Sequence, residues 1–149
     1  MTTVRQMLQG KSSQIHSVSP DDTVYEAIAG MARHNISAVL VTEANRLVGI
    51  FTERDYARKV ILQGRNSRDT KVGELMTQNL LTVSPSQTIE EVMQMMTENR
   101  VRHLPVVDHG QLIGIVTIGD AVKNVMDEQR QTIEQLSSYI SGDISIAQH

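Results

Sequence analysis

The sequence predicts an α/β chain, α+β by some schemes, made of two βαββα units. Three observations predict it: one block of residues recurs at a fixed offset, the apolar spacing inside the block switches between strand and helix periods, and the composition suits a packed core. With an offset of 65, Val18-Ser19-Pro20 falls on Val83-Ser84-Pro85, Thr23 on Thr88, Glu26 on Glu91, Met31 on Met96 and Val41 on Val106. The same shift carries Leu47, Gly49, Ile50, Thr52 and Asp55 onto Leu112, Gly114, Ile115, Thr117 and Asp120, with no gap. Most other pairs exchange one apolar residue for another, as Val24 does with Ile89 and Ile36 with Val101. The chain is 40% hydrophobic and 21% charged, the balance of a folded protein. Aromatics make up only 3%, so Val, Ile, Leu, Ala and the eight Met must fill the core.

Each unit opens with a short apolar strand, about 15–18 and 80–83, that meets a Ser-Pro pair where proline forbids simple continuation. A helix follows, with Asp21 or Ser86 as plausible cap. Its apolar residues fall at Val24, Ala27, Ile28 and Met31 in the first unit and at Ile89, Val92, Met93 and Met96 in the second, the spacing of one buried stripe. Two strands come next, 38–42 and 47–52, joined by the polar Glu43-Ala44-Asn45-Arg46 as a hairpin; 103–107 and 112–117 repeat them around 108–111. A second helix starts near Glu53 and near Gly119, the first ending about Gln63-Gly64 and the second running to about Leu136. The expected divisions are 4–64 for the first repeat, 65–72 for a polar linker, 73–138 for the second repeat with its extended helix, and 139–149 for a tail without strong signal.

A net charge of −3 and a pI of about 5.9 disfavour nucleic acid as a partner. The absence of Cys removes disulfides, thiolate metal sites and a Cys nucleophile together. Residues 1–14 are polar and no stretch has the length of a membrane span, so a cytoplasmic chain without membrane contact is expected.

The sharpest local feature is Gly49-Ile50-Phe51-Thr52-Glu53-Arg54-Asp55, matched by Gly114-Ile115-Val116-Thr117-Ile118-Gly119-Asp120. A strand ends at Thr, and an Asp follows three residues later in the first turn of a helix. One reading is a capping box, which satisfies orphan N–H groups and complements the helix dipole. The other is a ligand site, where the helix start attracts phosphate, the Thr hydroxyl donates and the Asp accepts from ribose hydroxyls. Gly49 and Gly114 allow close approach of a ligand or of a neighbouring backbone, or mark a bend.

Val-Ser-Pro, the amphipathic helix, Val101-Arg102-His103-Leu104-Pro105-Val106-Val107-Asp108 and the doubled Gly-x-x-Thr-x-x-Asp together resemble cystathionine-β-synthase-type (CBS) domains in tandem, a Bateman module. Thr52 to Val60 followed by Gln63-Gly64 resembles the stand-alone CBS-pair proteins of bacteria and plant organelles. The resemblance implies two three-stranded sheets about a pseudo-two-fold axis, helices on one side, and two clefts for an adenosine ligand such as AMP, ATP, NAD(H) or S-adenosylmethionine. Carried over residue by residue, it implies a first site of Thr52, Arg54, Asp55, Leu81, Thr82, Arg102 and His103. The second would use His16, Ser17, Ser37, Ala38, Thr117 and Asp120. Phosphate is expected in the first, which offers Arg54, Arg102 and His103 with Arg58 and Lys59 one turn along. The second is expected to be empty or to hold an uncharged group.

Five His without close ligand spacing give no metal site, and no Ser, His and acid pattern supports catalysis. His103 could be a core residue or a phosphate neighbour. Met93, Met95 and Met96 suit packing or a dimer face, and Arg54, Arg58 and Lys59 suit either a site or a solvated helix face. The leading expectation is a regulatory adenine-nucleotide sensor, a homodimer by resemblance, acting on an unidentified protein and not an enzyme. The alternative is a dimeric interaction scaffold with vestigial clefts, suggested by Ile133, Leu136 and Ile140 on the last helix.

Overall fold

The computed structural model describes residues 1–11 and 15–147, with backbone alone over 142–147. Along the chain lie α1 (Val4–Gln9), β1 (Ser17–Val18), α2 (Val24–His34), β2 (Ala38–Glu43), β3 (Arg46–Thr52) and α3 (Glu53–Asp55), which winds on as a π-helix over Tyr56–Ile61. The second half holds α4 (Val72–Leu75), α5 (Ile89–Asn99), β4 (His103–Asp108), β5 (Gln111–Thr117) and α6 (Ile118–Ala147).

Both expected hairpins form in one register, Ala38 opposite Thr52 and His103 opposite Thr117. Their turns need left-handed residues, Ala44 and Asn45 in the first, His109 and Gly110 in the second, which suits the twist of a two-residue loop. β1 pairs parallel with β2, closing a three-stranded sheet. In the second half the corresponding strand shrinks to a bridge between Val83 and Val106.

The strands alternate as the period of two requires. Val39, Val41 and Phe51 face α2, where Val24, Ala27 and Met31 are buried with them. Leu104, Val106 and Val116 likewise pack with Ile89, Val92 and Met96 of α5. Met93 and Met95 pack against the same cluster, so the Met run is core filling. The opposite strand faces meet in a third cluster of Ala38, Leu40 and Ile50, joined by Ile15, Leu47, Leu80, Leu112 and Ile115. Ile15/Leu80, Leu47/Leu112 and Ile50/Ile115 are equivalent pairs of the repeat, so the halves meet like on like about a pseudo-two-fold axis.

Four local expectations are corrected. The helix caps are Thr23 and Thr88, whose hydroxyls accept from Glu26 and Glu91, in place of Asp21 and Ser86. The last helix runs to Ala147, past the expected end near Leu136, so 139–147 is no tail; 148 and 149 lie outside the described residues, as do 12–14. Two short helices were not anticipated, α1 in the polar lead and α4 running from the last linker residue into the second repeat.

Those helices are also exchanged. α1 opens the first repeat but packs on the second: Val4 joins the second core, and its N–H donates to the Gln87 carbonyl at 2.9 Å. α4 opens the second repeat but packs on the first: Val72 joins the first core, and its N–H donates to the Asp22 carbonyl at 2.8 Å. The exchange ties the halves together and brings Leu8 onto Gly114 and Met76 onto Gly49.

Candidate functional site

A cavity of about 530 Å³ opens between the repeats. His16, Ser37 and Ala38 reach it from the first repeat, and Arg102, His103, Thr117 and Gly119 from the second. Glu53, Lys11 and Ile118 complete the polar rim and its floor. His16, Ser37, Ala38 and Thr117 of the second expected site line it, together with Arg102 and His103 of the first, whereas Asp120 lies on the adjoining groove. Arg102 and His103 occupy the positions equivalent to Ser37 and Ala38, beside the pseudo-axis, so they can serve either cleft. The contact between Ser37 Oγ and His103 Nε2, 3.0 Å across the repeats, fixes His103 on the second side.

Cations dominate the wall. Lys11 and Arg102 line it with His16 and His103, against the single carboxylate of Glu53. Burial lowers the pKa of His103, and the charges of Arg102 and Lys11 add to the effect while Asp120 opposes it. Burial also lowers that of His16, whose ring stacks on His34 at 3.8 Å, with the His34 charge acting in the same direction. Both shifts favour the neutral ring.

Thr117 and Asp120 form the expected cap. The Asp120 N–H donates to the Thr117 hydroxyl at 3.1 Å, and the Thr117 N–H donates to Asp120 Oδ2 at 2.9 Å. The same oxygen holds the Lys11 ammonium at 2.6 Å. Burial pushes the Asp120 pKa up, but hydrogen bonds from Lys11 and Thr117 outweigh it and hold the group below the ordinary carboxylate value. Beyond Lys11 a second groove of about 420 Å³ runs between α1 and α6, past Asp120, Lys123 and Asn124.

The first site is built differently. Asp55 closes a full capping box with Thr52, accepting from its N–H at 3.0 Å and its hydroxyl at 3.1 Å. Its other oxygen meets the Thr77 hydroxyl at 3.4 Å and Lys59 at 3.2 Å. The Asp55 side chain is 12% exposed, against 24% for Asp120. Arg54 lies outside this cluster, in a shallow notch with Arg100 and Arg102, where it donates to the Arg100 carbonyl at 3.4 Å. Leu81 and Thr82 are exposed and line none of these cavities; Ser17 lines only a shallow depression with Ile15 and Thr42.

The greater room and the mixed cationic wall therefore lie on the side expected to be empty or uncharged. The reason is Lys11. It stands outside the repeated block, has no counterpart under the 65-residue shift, and reaches Asp120 only because α1 is exchanged. Its one legible signal was a lone cation in a polar N-terminal segment. Arg58 is exposed, while Lys59 is committed to Asp55 and the Leu75 carbonyl. No helix among the described residues is long and apolar enough to cross a membrane.

The CBS domain family model matches residues 4–61 and 72–127. A curated mitochondrial CBS domain-containing protein of Arabidopsis thaliana, CBSX3, is 43% identical over 95% of this chain and 73% of its own length. A solved CBS-domain protein from Burkholderia ambifaria is 50% identical with a TM-score of 0.83, covering 86% of this chain and 96% of that one. The CBS domain pair of protein MJ0100, solved with 5′-methylthioadenosine and S-adenosyl-L-methionine, is 25% identical with a TM-score of 0.76, covering 86% of this chain and 98% of that one.

Proposed function

This chain belongs to the CBS domain family, and from that premise we propose that it is a non-catalytic regulatory module whose second cleft binds an adenosine ligand carrying phosphate. The observation that carries the reading is the 530 Å³ cavity at the repeat seam, a volume within the range of small-molecule sites, with Thr117, Arg102, His103 and Lys11 on its wall and Asp120 behind Lys11 on the adjoining groove. In this reading Asp120 takes sugar hydroxyls, Thr117 and the start of α6 face the first phosphate, and Arg102 grips it in a fork. The solved relative with methylthioadenosine and S-adenosylmethionine supports the adenosine class. Lys11 and Arg102 disfavour the cationic sulfonium of S-adenosylmethionine here and favour AMP, ATP or NAD(H).

Calorimetric titration with AMP, ATP, NADH and S-adenosylmethionine tests the reading. AMP-type ligands should bind and raise the melting temperature, since they bind only the folded state. No heat and no thermal shift with any of them would overturn it.

A second reading is favoured by α6, where Val122, Met126, Ile133, Leu136 and Ile140 are more than two-fifths exposed along one stripe. There the chain is a homodimeric scaffold that docks a regulated protein. Sedimentation showing a dimer that Ile133→Glu dissociates, with no change in nucleotide binding, would favour it.

A further inference from the structure

Asp55 and Asp120 each hold a lysine ammonium, but the two lysines come from different places. Lys59 stands four residues after Asp55 on the same helical segment, and its Nζ also donates to the Leu75 carbonyl at 2.9 Å. Sixty-five residues later that position is Asn124, whose buried Oδ1 has no hydrogen-bond partner. The second cleft instead receives its ammonium from Lys11, just past the Gly10 cap of α1, 2.6 Å from Asp120 and 2.8 Å from the Ile115 carbonyl. Lys59 does not line the main cavity, whereas Lys11 lines both it and the adjoining groove.

We propose that Lys11 is the charge selector of the second cleft, admitting phosphorylated nucleosides and rejecting neutral ones. The inference rests on reading that cleft as an adenosine-ligand site. A sugar that takes Asp120 must compete with the ammonium for the carboxylate. A neutral nucleoside that wins leaves the ammonium, 29% exposed, without a counter-charge beside Arg102 and His103. A phosphorylated nucleoside supplies the missing anion on the same wall, so Lys11 trades one charged partner for another. Lys59 has no such freedom, since its own helix sets its distance from Asp55.

Titration of adenosine and AMP into the wild type, Lys11→Met and Lys11→Arg tests this, because Met keeps the apolar stem and Arg the charge. The wild type should prefer AMP by about tenfold or more, and Lys11→Arg should keep the preference. Lys11→Met should narrow it to about threefold or less, with adenosine bound more tightly than by wild type. An unchanged ratio in Lys11→Met overturns the selector and leaves the adenosine site standing. Failure of both ligands to bind the wild type overturns the site and the selector with it. A salt series on wild type needs no variant: AMP should weaken with added salt while adenosine does not, as screening loosens Lys11 from Asp120. Parallel weakening of the two would also overturn the proposal.

Discussion

Asp55 and Asp120 stand at the same place in two copies of one unit, yet one is locked and the other is available. Both cap a helix from the third position after a strand-ending Thr. Asp55 spends both oxygens, one on Thr52 and the other on Lys59 of its own helical segment and on Thr77 just past α4. Asp120 turns one oxygen to Thr117 and to a lysine from another part of the chain, beside a cavity. Equivalent sequence thus fixes where a carboxylate sits but not whether a ligand can have it; that depends on the residue one turn on, Lys59 against Asn124, and on what the exchanged helices bring.

The comparison breaks most sharply at the aspartates. Asp55→Ala leaves the Thr52 N–H and the Thr77 hydroxyl without their acceptor and the Lys59 ammonium without its counter-charge, and should destabilise the fold by about 3 kcal/mol in urea unfolding. Asp120→Ala should cost about 1 kcal/mol by the same measurement, because its partners reach water more easily, yet it should abolish nucleotide binding. Equal costs would erase the distinction.

The glycines come next. A Cβ at Gly49 would lie 2.5 Å from Met76 Sδ and 3.1 Å from the Thr77 carbonyl, so both side chain and backbone must move. At Gly114 it would meet only the Leu8 side chain, 2.9 Å away at its flexible end. Gly49→Ala should therefore cost about 2 kcal/mol and Gly114→Ala about 1 kcal/mol or less, read from chemical unfolding.

Acid should act chiefly through the second cleft. His103 and His16 have folded pKa values below the ordinary 6.5, so their contribution is present above that value and drains as pH falls through it toward the folded values. Asp120 is lowered too, and its contribution is lost only at more acid pH, as pH falls from its ordinary 3.8 through the folded value. Melting temperature should decline from about pH 7 to about pH 5, and His103→Gln should flatten part of that slope. The smallest effect expected is at the helix ends, where Asn35 and Arg100 share a left-handed backbone at φ 54. Asn tolerates that region better than Arg, so Arg100→Asn should stabilise by about 0.5 kcal/mol in thermal unfolding.

Sequence reasoning reached the repeat, the hairpins, the buried stripes of α2 and α5 and the Thr–Asp turns, because each is written in local period or in self-similarity. Of the residues it expected in the second site, His16, Ser37, Ala38 and Thr117 line one cavity, while Asp120 lines the adjoining groove and Ser17 a separate depression. Arg102 borders both the notch of Arg54 and the main cavity, while His103 lines the main cavity, a division that packing sets and local sequence does not. Sequence reasoning gave Leu81 and Thr82 a role suggested by their counterparts His16 and Ser17, but the second repeat barely forms its first strand. Lys11 and the helix exchange were invisible, because both depend on contacts between residues far apart in the chain, Lys11 with Ile115 and Asp120, Val4 with Gln87 and Val72 with Asp22.

A crystal structure with bound AMP tests the availability of Asp120 against the closure of Asp55 most directly. One nucleotide per chain is predicted, its ribose on Asp120 and its phosphate beside Arg102 with the Lys11 ammonium turned toward it. AMP seated in the notch of Arg54, Arg100 and Arg102, with its sugar on Asp55, would contradict the account.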